Sequence, residues 1–141
     1  MANLENLYRE VIMEHYKHPR NKGLIIDPTY VSKHIKSPTC IDDITVQSKV
    51  ENGKVVDCRH DGTGCSICCA SASILTEMVI DRTVEEAEKI VTNYINMVTN
   101  QPYDSSVDLE EAMAFEEVRL YPARVKCASL SWKAFLDTIK K

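Results

Sequence analysis

Leu4, Leu7, Tyr8, Val11, Ile12 and His15 recur at helical spacing, so the start of the chain predicts an amphipathic helix. Pro19 and Asn21-Lys22-Gly23 end it. Pro28 and Pro38 then argue for loop around a strand over residues 30–35. Ile44, Val46, Ser48 and Val50 alternate with polar neighbours, which is strand periodicity. Asn52-Gly53 signals a two-residue hairpin, with residues 54–60 returning as the partner strand. Asp61-Gly62-Thr63-Gly64 reads as a flexible turn that delivers Cys65. Small and apolar residues dominate 66–80 (Ala70, Ala72, Ile74, Leu75, Met78, Val79), as a buried helix requires. Thr83 and Glu86 make a capping box for the next helix, over 84–98. Residues 100–108 read as loop and 109–117 as a short acidic helix with a solvated face. Tyr121-Pro122 breaks the chain before a last helix over 129–139. The fold class expected is α+β, one domain over 1–141, with a small antiparallel sheet of about three strands packed against several helices.

Composition narrows the chemistry. The 141 residues suffice to bury a core without staples. A net charge of −4 with scattered basic residues argues against nucleic acid or an anionic membrane as partner. The first ten residues lack the apolar run of a secretory signal, and no stretch approaches the ~18 apolar residues of a membrane helix. The expected location is the cytoplasm, where thiols stay reduced. Six cysteines there point to metal or sulfur chemistry more than to disulfides.

Three of them stand at expected element boundaries: Cys40 two residues before Asp42, Cys65 where a Gly-rich turn enters a helix, and Cys127 where a Pro-broken loop enters the last helix. Three thiolates and one carboxylate match a tetrahedral zinc set, with Asp42 the most easily displaced ligand. Such a site lowers thiol pKa values, helped by Arg124 and Lys126 beside Cys127 and by the helix dipole at Cys65. Spacing leaves a second reading open, in which these cysteines sit unrelated in separate loops. Cys58, mid-strand, and Cys69, within an apolar helix, are expected to pack, as is Cys68. His15, His18, His34 and His60 are expected to be structural or exposed.

Longer motifs carry a resemblance. Residues 7–17, Leu-Tyr-Arg-Glu-Val-Ile-Met-Glu-His-Tyr-Lys, followed by Pro19-Arg20-Asn21-Lys22-Gly23, resemble the opening of the SufU/IscU family, of NifU N-terminal domain type. Pro38-Thr39-Cys40-Ile41-Asp42 resembles its first ligand motif, Gly62-Thr63-Gly64-Cys65 its second, and Arg124-Val125-Lys126-Cys127 its third. Lys126, where IscU-type scaffolds carry a histidine, and the acidic segment near 104–117 resemble the SufU branch. The resemblance implies zinc held by Cys40, Asp42, Cys65 and Cys127, with Cys40 accepting persulfide sulfur from a pyridoxal-phosphate cysteine desulfurase and downstream iron–sulfur assembly proteins as further partners. Arg124 is a candidate stabiliser of the thiolate. The IscU relatives imply an alternative, a scaffold for a [2Fe–2S] cluster at the same cysteines. Ile41 departs from the family's usual glycine, which bears on the geometry of Asp42, and Asp43 is a neighbouring competitor. A remote alternative from another class is a thiol–disulfide oxidoreductase using Cys65-Ser66-Ile67-Cys68.

Overall fold

The hairpin expected at Asn52-Gly53 lies at the centre of the sheet in a computed structural model that describes residues 4–37 and 41–140. Both turn residues have positive φ, 54° and 76°, the signature of a two-residue hairpin turn. Strands β1 (Val31–Lys36), β2 (Asp43–Glu51) and β3 (Lys54–Thr63) form an antiparallel meander in the order β1-β2-β3. Val50 pairs with Val55 whereas Lys49 pairs with Asp57, so Val56 is an extra residue in β3. This bulge resets the alternation, and Val55, Cys58 and His60 all turn inward with Ile44, Val46 and Ser48 of β2. β1 is the exposed edge.

One face of the sheet is covered by helices. The helix α1 (Leu4–Lys17) precedes the sheet, and α2 (Ser66–Val79), α3 (Val84–Val98), a 3₁₀ helix (Glu110–Leu120) and α4 (Pro122–Ile139) follow it. The α+β class and the three-stranded sheet are as expected from the sequence. α2 runs through the middle, with ten of its residues buried, because small and apolar side chains surround it. α3 starts at the Thr83–Glu86 capping box, complete in both directions. No helix among the described residues is long and apolar enough to cross a membrane.

Three boundaries differ from the sequence reading. Asp61 to Thr63 continue β3, pairing with Asp43 to Thr45, where a flexible turn was expected. The acidic segment is a 3₁₀ helix, and Ala112, Phe115 and Val118 go into the core while Glu110, Glu111 and Glu117 face solvent. α4 begins at Pro122, not at 129, because a proline at the first helical position gives up an N–H that had no helical partner anyway. Cys127 therefore lies inside α4.

A buried polar cluster locks α4 onto α2 and α3. Tyr94 of α3 stacks on Trp132 of α4 at 3.6 Å between centroids and 11° between planes. Trp132 Nε1 donates to Ser71 Oγ at 2.7 Å, and Ser71 Oγ donates to the Ala128 carbonyl at 2.6 Å. Tyr94 Oη donates to the same carbonyl at 2.8 Å. With these bonds made, burying the polar atoms costs little, and the register of α4 against α2 is set at the residue after Cys127.

Candidate metal centre

Asp42 immediately precedes β2 and is fully buried. Its carbonyl accepts from Ser37 N–H at 2.9 Å, which ties the end of β1 to the start of β2 around the short segment containing Cys40. Cys40 itself lies outside the described residues. Ile41 faces solvent, 72% exposed, so its bulk does not press on the Asp42 side chain. Asp42 Oδ1 accepts from Cys65 N–H at 3.0 Å. Oδ2 is buried and has no hydrogen-bond partner among the described residues.

Cys65 is the N-cap of α2, with extended backbone (φ −69°, ψ 169°), and its Sγ accepts from Cys68 N–H at 3.4 Å. It reaches Asp42 because β3 runs on to Thr63 and the chain passes close to β2. At Gly62 (φ 136°) a Cβ would lie 2.2 Å from the Asp43 carbonyl oxygen, and at Gly64 a Cβ would lie 2.9 Å from Asp42 Oδ1. Both contacts are shorter than real side chains tolerate. Gly62→Ala is expected to destabilise the protein by about 2 kcal/mol or more, since left-handed strain and a backbone clash add. Urea unfolding followed by circular dichroism checks this.

Cys127 enters from α4 and is 4% exposed. The Asp42, Cys65 and Cys127 donor atoms all lie within 4.8 Å of one another. Burial first, then the facing Asp42 carboxylate and Cys65 sulfur, push the Cys127 thiol well up. Two sulfurs crowded against a buried carboxylate form a donor set well matched to a cation. The sulfur-rich donor set with one hard oxygen suits zinc.

Other candidates fall away from this cluster. Asp43 is taken by His34 across β1 and β2 and does not compete with Asp42. Arg124 stands exposed on the first turn of α4, one turn before Cys127, with no ion pair among the described residues. Lys126 is also exposed. Cys58 is fully buried in the core, and burial pushes its thiol up. Cys69 is only half-buried, its Sγ donating to the Gly64 carbonyl at 3.5 Å. Cys68 is fully buried and packs with Ile44, Ala72 and Cys127, immediately behind the donor cluster.

A second grouping was not legible in the sequence. His15 of α1 is fully buried, with Nδ1 2.7 Å from Ser73 Oγ and Nε2 2.9 Å from Glu111 Oε1. Ser73 Oγ also accepts from Arg20 N–H at 2.8 Å. A relay from Arg20 through Ser73 and His15 to Glu111 uses every one of these groups, so it ties α1, α2 and the 3₁₀ helix together. Helical spacing marked His15 as inward-facing, but nothing local pointed to Ser73 or Glu111.

The NifU-like N terminal domain model matches residues 7–128. The chain belongs to that family. It is 42% identical to the zinc-dependent sulfurtransferase SufU of Bacillus subtilis (strain 168), over 99% of this chain and 94% of that protein. It is 33% identical to the iron–sulfur cluster assembly scaffold protein IscU of Streptococcus pyogenes serotype M1, over 100% of this chain and 87% of that protein. Among solved structures it superposes on FiSufU of Fervidobacterium islandicum AW-1 with a TM-score of 0.86 and 31% identity, covering 98% of this chain and 100% of the other. The meander and its helical cover are thus shared with that structure along nearly the whole of both chains.

Proposed function

We propose that this chain serves iron–sulfur cluster assembly as a zinc-dependent acceptor and carrier of persulfide sulfur. The observation that carries the reading is the convergence of the buried Asp42 carboxylate with the Cys65 and Cys127 sulfurs, one carboxylate oxygen having no hydrogen-bond partner among the described residues. Its likeness to the Bacillus subtilis sulfurtransferase supports it. Cys40, Asp42, Cys65 and Cys127 would hold the metal, and bound zinc would keep sulfur in its nucleophilic thiolate form near neutral pH. The donor is a pyridoxal-phosphate cysteine desulfurase, and the setting is the cytoplasm, where free thiols persist.

The chemistry is thiol–disulfide exchange. Cys40, which bound zinc would keep in its thiolate form, attacks the outer sulfur of the desulfurase persulfide. The Cys40–sulfur bond forms, the donor's S–S bond breaks, and the desulfurase cysteine departs as a thiolate. Asp42 stays anchored through Oδ1 to Cys65 N–H, so the remaining donors keep their places during the exchange. Arg124, exposed one turn from Cys127, supplies positive charge at the mouth of the site. Downstream iron–sulfur assembly proteins then take the sulfur.

The test is anaerobic incubation of zinc-loaded protein with the desulfurase and cysteine, followed by mass spectrometry of each cysteine. Added sulfur is expected on Cys40, and Cys40→Ser is expected to lower sulfur acceptance by about 100-fold or more. Acceptance at the wild-type level in that variant overturns the reading. The scaffold reading is favoured instead if no cysteine gains sulfur while reconstitution with iron and sulfide yields a stable visible chromophore. The IscU relative is the observation in its favour.

A further inference from the structure

Cys65-Ser66-Ile67-Cys68 has no part in the sulfur-transfer reading beyond Cys65. The sequence alone raised it as an oxidoreductase motif. Its placement suggests a different role. Cys65 is the N-cap of α2 and Cys68 is the third helical residue after it, the two positions whose side chains face one another in a capping box. The Cys68 N–H already points at Cys65 Sγ, at 3.4 Å. Cys68 Sγ lies on the Gly64 side of the helix start, where a Cβ on Gly64 would be only 3.2 Å from it. Residues three apart on a helix are neighbours, about 5–6 Å between Cβ atoms, so closing the bond needs side-chain rotation and a local tightening of the first turn.

The two thiols differ in access and in duty. Cys65 is half-buried and can be reached from solvent, whereas Cys68 is 0% exposed. Cys65 is one of the converging donors with Asp42 and Cys127, and Cys68 is not. Cys68 is thus a spare sulfur packed directly behind the metal-holding set, free of any ligand duty.

We propose that Cys65 and Cys68 form an oxidisable pair whose disulfide withdraws Cys65 from the metal-holding set and so releases the metal. The oxidant is a hydroperoxide. The Cys65 sulfur attacks the peroxide, the O–O bond breaks, and Cys65 becomes a sulfenic acid as one oxygen leaves as hydroxide or alcohol. Cys68 sulfur then attacks Cys65 sulfur, the S–S bond forms, and the sulfenic hydroxyl leaves as water with the Cys68 proton. The thiols lose two electrons and the peroxide gains them. A dithiol reductant reverses the change by exchange. Cys127 is the rival partner, since its sulfur is within 4.8 Å of Cys65, but that bond spans two helices and costs the set two donors at once.

The metal-release arm rests on the zinc reading above, and the disulfide arm does not. The full chain, zinc-loaded, is titrated with hydrogen peroxide in the presence of a chromophoric zinc indicator, then alkylated and digested with trypsin. Cys65, Cys68 and Cys69 share the tryptic peptide from His60 to Arg82, and Cys127 falls on another. The expected product is that peptide about 2 Da lighter, linked through Cys65 and Cys68 with Cys69 alkylated, appearing in step with zinc. Dithiothreitol restores both thiols. Cys68→Ala and the near-isosteric Cys68→Ser are expected to slow zinc release on the order of tenfold, and Cys69→Ala to leave it unchanged. A Cys65–Cys127 link, or zinc lost at the wild-type rate from both Cys68 variants, overturns the proposal. If the chain takes up no zinc, the zinc reading fails while the peptide map still decides the disulfide.

Discussion

Asp42→Asn is expected to raise the melting temperature of the metal-free protein and to weaken zinc binding by on the order of 100-fold or more. The two signs come from the two carboxylate oxygens. Oδ1 accepts from Cys65 N–H, and an asparagine oxygen can accept in its place. Oδ2 is buried without a hydrogen-bond partner among the described residues, the carboxylate lies beside two sulfurs, and an amide there would be neutral and could donate to them. Removing a buried charge that lacks a full set of partners among the described residues is worth about 1–3 kcal/mol, or several degrees in a domain of this size. Zinc reverses the order, because it binds only the folded site and stabilises by mass action in proportion to its affinity. Calorimetry with and without zinc, together with a competition titration, checks both signs. A melting temperature lowered in both states would make Asp42 a structural residue only.

Trp132→Ala is expected to cost about 3–5 kcal/mol, a large share of the ~5–15 kcal/mol that holds a domain together. Trp132 is fully buried, stacked on Tyr94 and bonded to Ser71. Truncation leaves a cavity and strips Ser71 Oγ of its donor. Because Ser71 and Tyr94 both hold the carbonyl of Ala128, next to Cys127, zinc affinity should fall along with stability. Trp132→Phe keeps an aromatic ring against Tyr94 and loses only the indole N–H, for about 1 kcal/mol, with zinc affinity little changed. Urea unfolding with zinc titration of both variants tests this. Equal zinc affinity in Trp132→Ala and the wild type would separate the core cluster from the site.

Elements with a strong local period were legible from residues alone. The first helix, the Asn52-Gly53 hairpin, the buried helix after Cys65 and the Thr83–Glu86 cap all occur where pattern placed them. The misses have two causes. Asp61 to Thr63 look like a turn because of Gly62, yet pairing with β2 absorbs them, and the glycine serves the close approach of two backbones. Pro122 looks like a break before the last helix, yet it begins that helix. The acidic run reads as solvated, and Leu109 and Phe115 are nonetheless core because the helices leave space there. For Asp61 to Thr63 and for the acidic run a partner distant in sequence overrode the local signal, whereas Pro122 fits the first helical position through its own missing N–H.

The candidate site divides the same way. Residue chemistry by itself determined which side chains were worth watching: cysteines in a chain expected to stay reduced, a carboxylate two residues from one of them, and motif order resembling one family. It also separated Cys58 from the rest, since mid-strand alternation buries it. Only the tertiary structure decided that Asp42, Cys65 and Cys127 converge, coming from a strand start, a helix cap and the second turn of another helix. Only it showed that Asp43 is spoken for by His34, that Ile41 points away, and that Cys68 stands directly behind the donors. The physical reason is that periodicity reports which face of an element is buried, whereas convergence depends on how elements pack. That packing is set here by the β3 bulge, the two glycines and the Ser71–Tyr94–Trp132 cluster.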